Sequence, residues 1–274
     1  MNFSKYLQFF IRELNKNKSK ITKVFFTIFI SLLIFSSVTI LNNSIENEIK
    51  NNSRLFLGGD LELSAKNKPL NSDFLEKLKK DFFITEVIEF TSIIRTTNEE
   101  SKTTRIKVID NFYPLIGEVK VEPIDSLKLL KNNQNTILID KATKNNLELK
   151  LGDKIKVQNT SFEVIGVIES LPDMGGIFLF GDQALISGPS FKNLKINNLG
   201  SFINFKYKMV NKDNDQNLTN DIITNKNVLL KYPKDVSQNL RKIIENFIYF
   251  LSIISASAIL ISGIGLKNSL FWFL

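Results

Sequence analysis

Two apolar stretches without a single charge, Val24–Leu41 and Phe247–Leu266, sit at opposite ends of this 274-residue chain. They enclose 205 largely polar residues, Asn42–Asn246. A helix rises ~1.5 Å per residue, so 18 to 20 residues reach roughly 27–30 Å, the thickness of a hydrocarbon core. The pattern predicts a membrane protein whose one large domain is held between two transmembrane helices, 24–41 and 247–266. The first run exceeds the roughly 7–15 apolar residues of a secretory signal. The Asn42-Asn43-Ser44-Ile45 that follows offers no small-x-small cleavage site. A retained anchor is therefore expected.

Charge predicts which side the domain faces. Residues 1–23 carry six Lys and Arg against Glu13 alone, while Lys267 is the one charge beyond the second run. Basic flanks resist translocation, so both termini should be cytoplasmic and the 42–246 domain extracytoplasmic. The enclosed domain holds 29 basic against 27 acidic residues. The net +8 thus sits mostly in the flanks, and a nucleic-acid partner, which would need a clustered basic face, is not expected. Phe3, Tyr6, Leu7, Phe10, Ile11 and Leu14 recur at helical spacing. This basic amphipathic segment could lie on the inner leaflet or continue the first helix inward.

The chain has no Cys and no His. Disulfides, thiolate chemistry and the commonest general base and metal ligand are absent. No Gly-x-x-x-x-Gly-Lys-Ser/Thr run marks a phosphate-binding loop. Asp213-Asn214-Asp215-Gln216-Asn217 opens like a calcium loop, but Leu218 and Thr224 stand where Gly and a bidentate Glu are needed. Serines are plentiful, yet a nucleophile needs an activating base. No catalytic, cofactor-binding or metal-binding residue is expected, and no enzyme activity. Gly263-Ile264-Gly265 lies inside an apolar helix, where small residues allow close helix packing.

Within the outer region, periodicity predicts an α+β domain. Asn42–Lys50 should extend the first helix outward as a stalk broken at Gly58-Gly59. Asp60–Ser64 alternates as a strand. Ser72 is placed to cap a helix over Asp73–Lys80. Phe82–Thr97 and Thr103–Ile109 read as an antiparallel pair around Asn98-Glu99-Glu100, followed by a loop at Asn111–Gly117. Thr136–Asp140 is a buried strand, and Lys141–Leu149 a short helix closed by Gly152. Lys154–Gln158 and Ser161–Ile168 form a hairpin, and such short strands around tight turns suggest a small barrel. Ile177–Phe180, Ser201–Tyr207 and Val228–Tyr232 are further strands, Asp213–Thr224 a helix, and Pro233 opens the helix into the second run. The Pro/Gly loop Leu171-Pro172-Asp173-Met174-Gly175-Gly176 is the candidate partner-binding loop, since a scaffold can fix a loop's ends and leave its side chains free.

The order of parts resembles the first half of an ABC-transporter permease of the MacB/FtsX/LolC class. The stretch from Thr136 to Val167 carries the resemblance most specifically, as strand, short helix, Leu147-x-Leu149-x-x-Gly152-Asp153, hairpin and Val164-x-Gly166-Val167. Leu57-Gly58-Gly59-Asp60-Leu61-Glu62-Leu63 is similar to the family's exit from the stalk. Lys107–Gly117 (KVIDNFYPLIG) resembles the YbbP branch. The resemblance implies a two-lobed outer domain, with a βαβ-rich porter-like lobe and an inserted β-rich lobe at about 117–199. It also implies a bacterial cytoplasmic (inner) membrane location, a cytoplasmic ABC ATPase subunit as partner, and a second permease copy or remaining permease half. ATP-driven movement would pass mechanically through the stalks, for export or extraction of an envelope substrate. Family members continue into further spans, so residues 267–274 are expected to be a truncated cytoplasmic end. The alternative is a bitopic receptor or scaffold that binds an envelope protein through its outer domain.

Overall fold

The computed structural model describes residues 18–173, 182–194, 202–212 and 228–271. It falls into two compact units, one made of the terminal segments up to Ile49 and from Arg241, the other of Lys50–Leu240. The first contains most of α1 (Lys18–Asn51) and α7 (Pro233–Phe271). The first apolar run lies wholly inside α1 and the second inside α7. Among the described residues one helix, Pro233–Ile264, is long and apolar enough to cross a membrane, where two were expected. Phe25, Phe26, Phe247 and Phe250 each leave at least 60% of their surface exposed within the chain. In the same unit Arg241 pairs with Glu46 at 3.1 Å and with Glu245 at 2.6 Å.

The outer unit begins with a short helix, α2 (Ser53–Leu57), and a strand, β1 (Leu61–Lys66). Helix α3 (Ser72–Asp81) follows. Its cap is Asn71 rather than the expected Ser72, because Asn71 is the residue held extended, and its side-chain oxygen accepts the Asp73 amide at 3.2 Å. The long strand β2 (Phe82–Arg95) and β3 (Ser101–Ile109) form the expected antiparallel pair. Then come β4 (Lys120–Glu122), α4 (Ser126–Asn132), β5 (Thr136–Asp140), α5 (Lys141–Asn146), β6 (Lys154–Val157) and β7 (Thr160–Ser170). The chain continues with β8 (Gln183–Ser187), α6 (Gly188–Asn193), β9 (Asn204–Asn211) and β10 (Val228–Lys231). The expected strand at 177–180 and helix at 213–224, with its calcium-like opening, lie outside the described residues, as does the amphipathic segment 3–14.

All ten strands belong to one sheet, ordered β10-β1-β9-β2-β3-β8-β5-β7-β4, with β6 bridging β7 and β2. That bridge, Ile94 opposite Val157, closes a ring of six strands, β2-β3-β8-β5-β7-β6. The barrel suggested by the short strands therefore exists. It is not confined to the expected inserted lobe, because two of its strands, β2 and β3, come from residues before Gly117. Lys50–Leu240 is one compact unit. Strand β2 pairs with β9 over Phe82–Glu89 and with β6 at Ile94 and Arg95, so it runs from the open sheet into the ring.

Strand periodicity sets what fills the two faces. Ile94, Ile106, Ile137, Ile139, Ile155, Val157, Phe162, Val164, Ala184 and Ile186 are fully buried on one side and continue into the layer beneath α3. The alternate positions Val87, Ile109, Leu138 and Leu185 form a second apolar cluster with Tyr113, Leu171 and Leu130 of α4. A bulge in β7 opposite Ile137 and Leu138 brings Gly166 against the start of α4. A Cβ at 166 would stand 2.5 Å from Ser126 Oγ and 2.9 Å from the Glu122 carbonyl oxygen. Gly58, by contrast, is needed for its left-handed φ of 76°, which ends α2.

These two glycines should fail for different reasons. Gly166→Ala overpacks the β7–α4 contact and is expected to cost about 1–3 kcal/mol. Gly58→Ala forces a side chain into left-handed backbone, a cost of about 1–2 kcal/mol. Urea unfolding of the detergent-solubilised chain, followed by tryptophan-independent far-UV dichroism of the β-rich unit, measures both.

Candidate functional site

On β1 and β9, every second side chain points away from the apolar layer, and at the centre of that face charges replace hydrocarbon. Leu61, Leu63 and Ala65 of β1 lie in the core while Glu62 faces the other way. Phe205, Tyr207 and Met209 of β9 likewise alternate with Lys206 and Lys208. The register places Glu62 directly opposite Lys208 on one side and Lys231 of β10 on the other. Glu89 of β2 and Lys107 of β3 stand opposite each other in the next pair. Neighbouring opposite charges on one face are thus dictated by strand pairing.

The centre of this face is Asp173, three residues past the end of β7, whose side chain is 1% exposed. Its Oδ1 accepts from Lys107 Nζ at 2.8 Å and from the Tyr113 hydroxyl at 2.5 Å. Its Oδ2 lies 2.5 Å from Lys208 Nζ. Lys208 also donates to the Leu57 carbonyl at 2.8 Å and lies 3.7 Å from Glu62. Lys107 Nζ stands 5.5 Å from the centre of the Tyr113 ring. Outward from this node, Glu62 accepts from Lys231 at 3.2 Å and from Ser64 at 2.9 Å, and Lys206 donates to Glu89 at 2.6 Å. An isolated buried charge is very costly, and these distances show how each carboxylate is matched.

The electrostatics follow from that geometry. Burial alone would raise the Asp173 carboxyl, but the ammonium groups of Lys107 and Lys208 outweigh it and hold it far below the usual carboxylate range. Burial also works against Glu62, which is held low by Lys206, Lys208 and Lys231, and against Glu89, held low chiefly by Lys206 and Lys107. Burial would depress Lys206, yet Glu89 and Glu62 raise it. Burial, reinforced by Asp173, pushes the Tyr113 hydroxyl well above its ordinary value. Asp173 is therefore ionised and Tyr113 protonated throughout neutral pH. Such groups keep their protons fixed, which suits a clamp between segments.

The structure separates the residues of the candidate loop. Leu171 packs in the second apolar cluster, Pro172 is buried, and Asp173 is the node itself. These three are buried anchors inside the domain, held by apolar packing and two ion pairs. Met174, Gly175 and Gly176 lie outside the described residues. Sequence reading gives no site role to Lys107, Lys208, Glu62, Glu89, Lys206 or Tyr113, although Glu62 and the Lys107–Gly117 stretch carry part of the family resemblance. Each Lys and Glu alternates with apolar residues, which reads as an ordinary solvent face. The register that stacks them is a property of pairs of strands.

Removing the central anion strands two buried cations. Asp173→Ala is expected to cost about 3–5 kcal/mol in the packing of this charged face. The pH dependence has a defined sign. Asp173, Glu62 and Glu89 have folded values below their unfolded ones, so their stabilisation is full above about pH 4 and is lost as pH falls through the folded values. Lys206 has a raised folded value, so its stabilisation is full below its unfolded value of about 10.4 and is lost as pH rises on through the higher folded value. Melting curves across pH should show Asp173→Asn with a shallower acid decline than the parent.

The MacB-like periplasmic core domain family matches residues 24–237. The uncharacterized ABC transporter permease YbbP of Escherichia coli (strain K12) is 21% identical over 175 residues, covering 64% of this chain and 21% of its own length. The chain thus spans about a fifth of that curated relative. Among solved structures it is similar to the periplasmic region of MacB from Actinobacillus actinomycetemcomitans, at 15% identity and a TM-score of 0.48, covering 70% of this chain and 97% of that one. It is also similar to the extracellular domain of the noncanonic ABC-type transporter YknZ from Gram-positive bacteria, at 15% identity and a TM-score of 0.41, covering 57% and 85%. With its family match running from inside α1 into the start of α7, the chain belongs to the MacB-like periplasmic core domain family.

Proposed function

We propose that this chain is part of the membrane component of an ABC transporter of the MacB/FtsX class. The observation that carries the reading is the family match across residues 24–237, bounded by long helices that contain the two apolar runs. In this reading both runs cross the cytoplasmic membrane, both termini are cytoplasmic, and the outer domain is extracytoplasmic. The basic flank before α1 supports that orientation. A cytoplasmic ATPase and a second permease copy or half complete the assembly. The chain itself supplies no catalytic group. ATP hydrolysis by the partner moves the outer domain to export or extract an envelope substrate.

Two measurements test this. Asn98 is exposed at the turn between β2 and β3. Cysteine introduced there should react with an impermeant maleimide in intact cells, after outer-membrane permeabilisation where one exists. Cysteine at Asn17 should stay unlabelled, and the reverse pattern overturns the topology. A tagged chain purified from its own cells should bring down an ABC ATPase. Recovery without any ATPase, while an envelope protein is captured, would favour the receptor reading.

A further inference from the structure

Helix α2 carries the chain from α1 into the sheet, and a set of polar bonds fixes its end to the outer domain, beside the buried Leu57 and the approach of Leu55 to Gly117. Leu57 is 1% exposed, yet it belongs to neither of the two apolar clusters. Its carbonyl oxygen accepts from Lys208 at 2.8 Å. Arg54 forms a two-armed pair with Asp60 at 2.5 and 3.1 Å. Asp60 Oδ2 in turn accepts the Asn211 amide at 3.1 Å, and the Asp60 amide donates to the Met209 carbonyl at 2.7 Å. Every one of these bonds ends on β9 or on the Gly58–Asp60 turn. A Cβ at Gly58 would stand 3.1 Å from Asp173 Cβ and from the Lys208 side chain, so the turn lies directly on the node.

From these contacts we propose that the Asp173–Lys107–Lys208–Tyr113 node is a releasable latch that fixes the end of α2 to strands β3 and β9. Lys208 is the bolt, since one ammonium holds both the Leu57 carbonyl and Asp173. Asp173 is the catch, since it also holds β3 through Lys107 and the following loop through Tyr113. The α2 segment can come away without opening either apolar cluster, because no residue of α2 belongs to one and charged hydrogen bonds fix its end. The barrel is closed by backbone ladders around a buried apolar interior, and stays shut. This inference does not depend on the transporter reading. It concerns how the segment leaving α1 is held, whatever partner acts on it.

Hydrogen–deuterium exchange on the full chain in lipid nanodiscs tests the latch. In Asp173→Asn, amides of Ser53–Asp60 should exchange at least tenfold faster than in the parent at labelling times of seconds to minutes. Amides of the barrel strand Thr136–Asp140 should remain unexchanged over the same interval in both proteins. Lys206→Met, which removes the ion pair to β2 on the same face, should leave Ser53–Asp60 as in the parent. Unchanged exchange of Ser53–Asp60 in Asp173→Asn overturns the proposal. So does barrel exchange that rises in step with it, because the node would then support the whole unit. Where Asp173→Asn fails to accumulate as folded protein, Tyr113→Phe keeps the ring and removes one donor to Asp173. It should raise exchange in Ser53–Asp60 at least threefold with the barrel still protected, and no rise there overturns the latch.

Discussion

The architecture depends on one strand serving two neighbourhoods. Over its first eight residues β2 pairs with β9 in the open sheet, and near its end it pairs with β6 to shut the ring. A strand of fourteen residues twists along its length, and that twist lets its far end curl into a barrel. Closure removes the free edges that β2 and β6 would otherwise present, so that part of the domain offers no template for pairing with another chain. It also joins the barrel to the sheet through β2, which pairs with both β9 and β6.

The charged face is the second consequence of the same sheet. In β9, a slip of one residue would turn Lys206 and Lys208 into the apolar layer and bring Phe205, Tyr207 and Met209 out onto the ions. Either exchange places ammonium groups among hydrocarbon, at a cost far above what a single packing fault carries. The ion cluster therefore fixes the register of the central strand even where its net contribution to stability is small. β1 is held by the same logic from the other side, because Glu62 must meet both Lys208 and Lys231.

Much of this fold was legible from local signals. The β2–β3 hairpin, the strand Thr136–Asp140, the β6–β7 turn and the helix from Pro233 each declare themselves through alternation or a turn residue within a few positions. Strand β8 did not, because Gln183–Ser187 is buried on both faces and so carries no alternation to detect. Helix α4 escaped for want of length, as seven residues give barely two turns of periodicity. The cap at Asn71 was missed by one position, a shift that depends on which residue the preceding Leu70 leaves extended.

The candidate site was illegible for a deeper reason. Lys107 and Asp173 are 66 positions apart, and Lys208 lies farther still along the chain. Nothing in Thr104-Arg105-Ile106-Lys107-Val108 distinguishes a lysine that will be sealed from one that will face water. What seals it is the arrival of Leu171–Asp173 over the sheet, anchored by Leu171 in the second apolar cluster. The Pro172 ring sits where a Cβ at Gly117 would fall, 2.6 Å away, so Gly117 leaves room for this segment to settle. The Pro/Gly composition that marks Leu171–Gly176 as a loop thus has, over its first half, a packing purpose. It lets a carboxylate descend onto two lysines that strand pairing has already brought together.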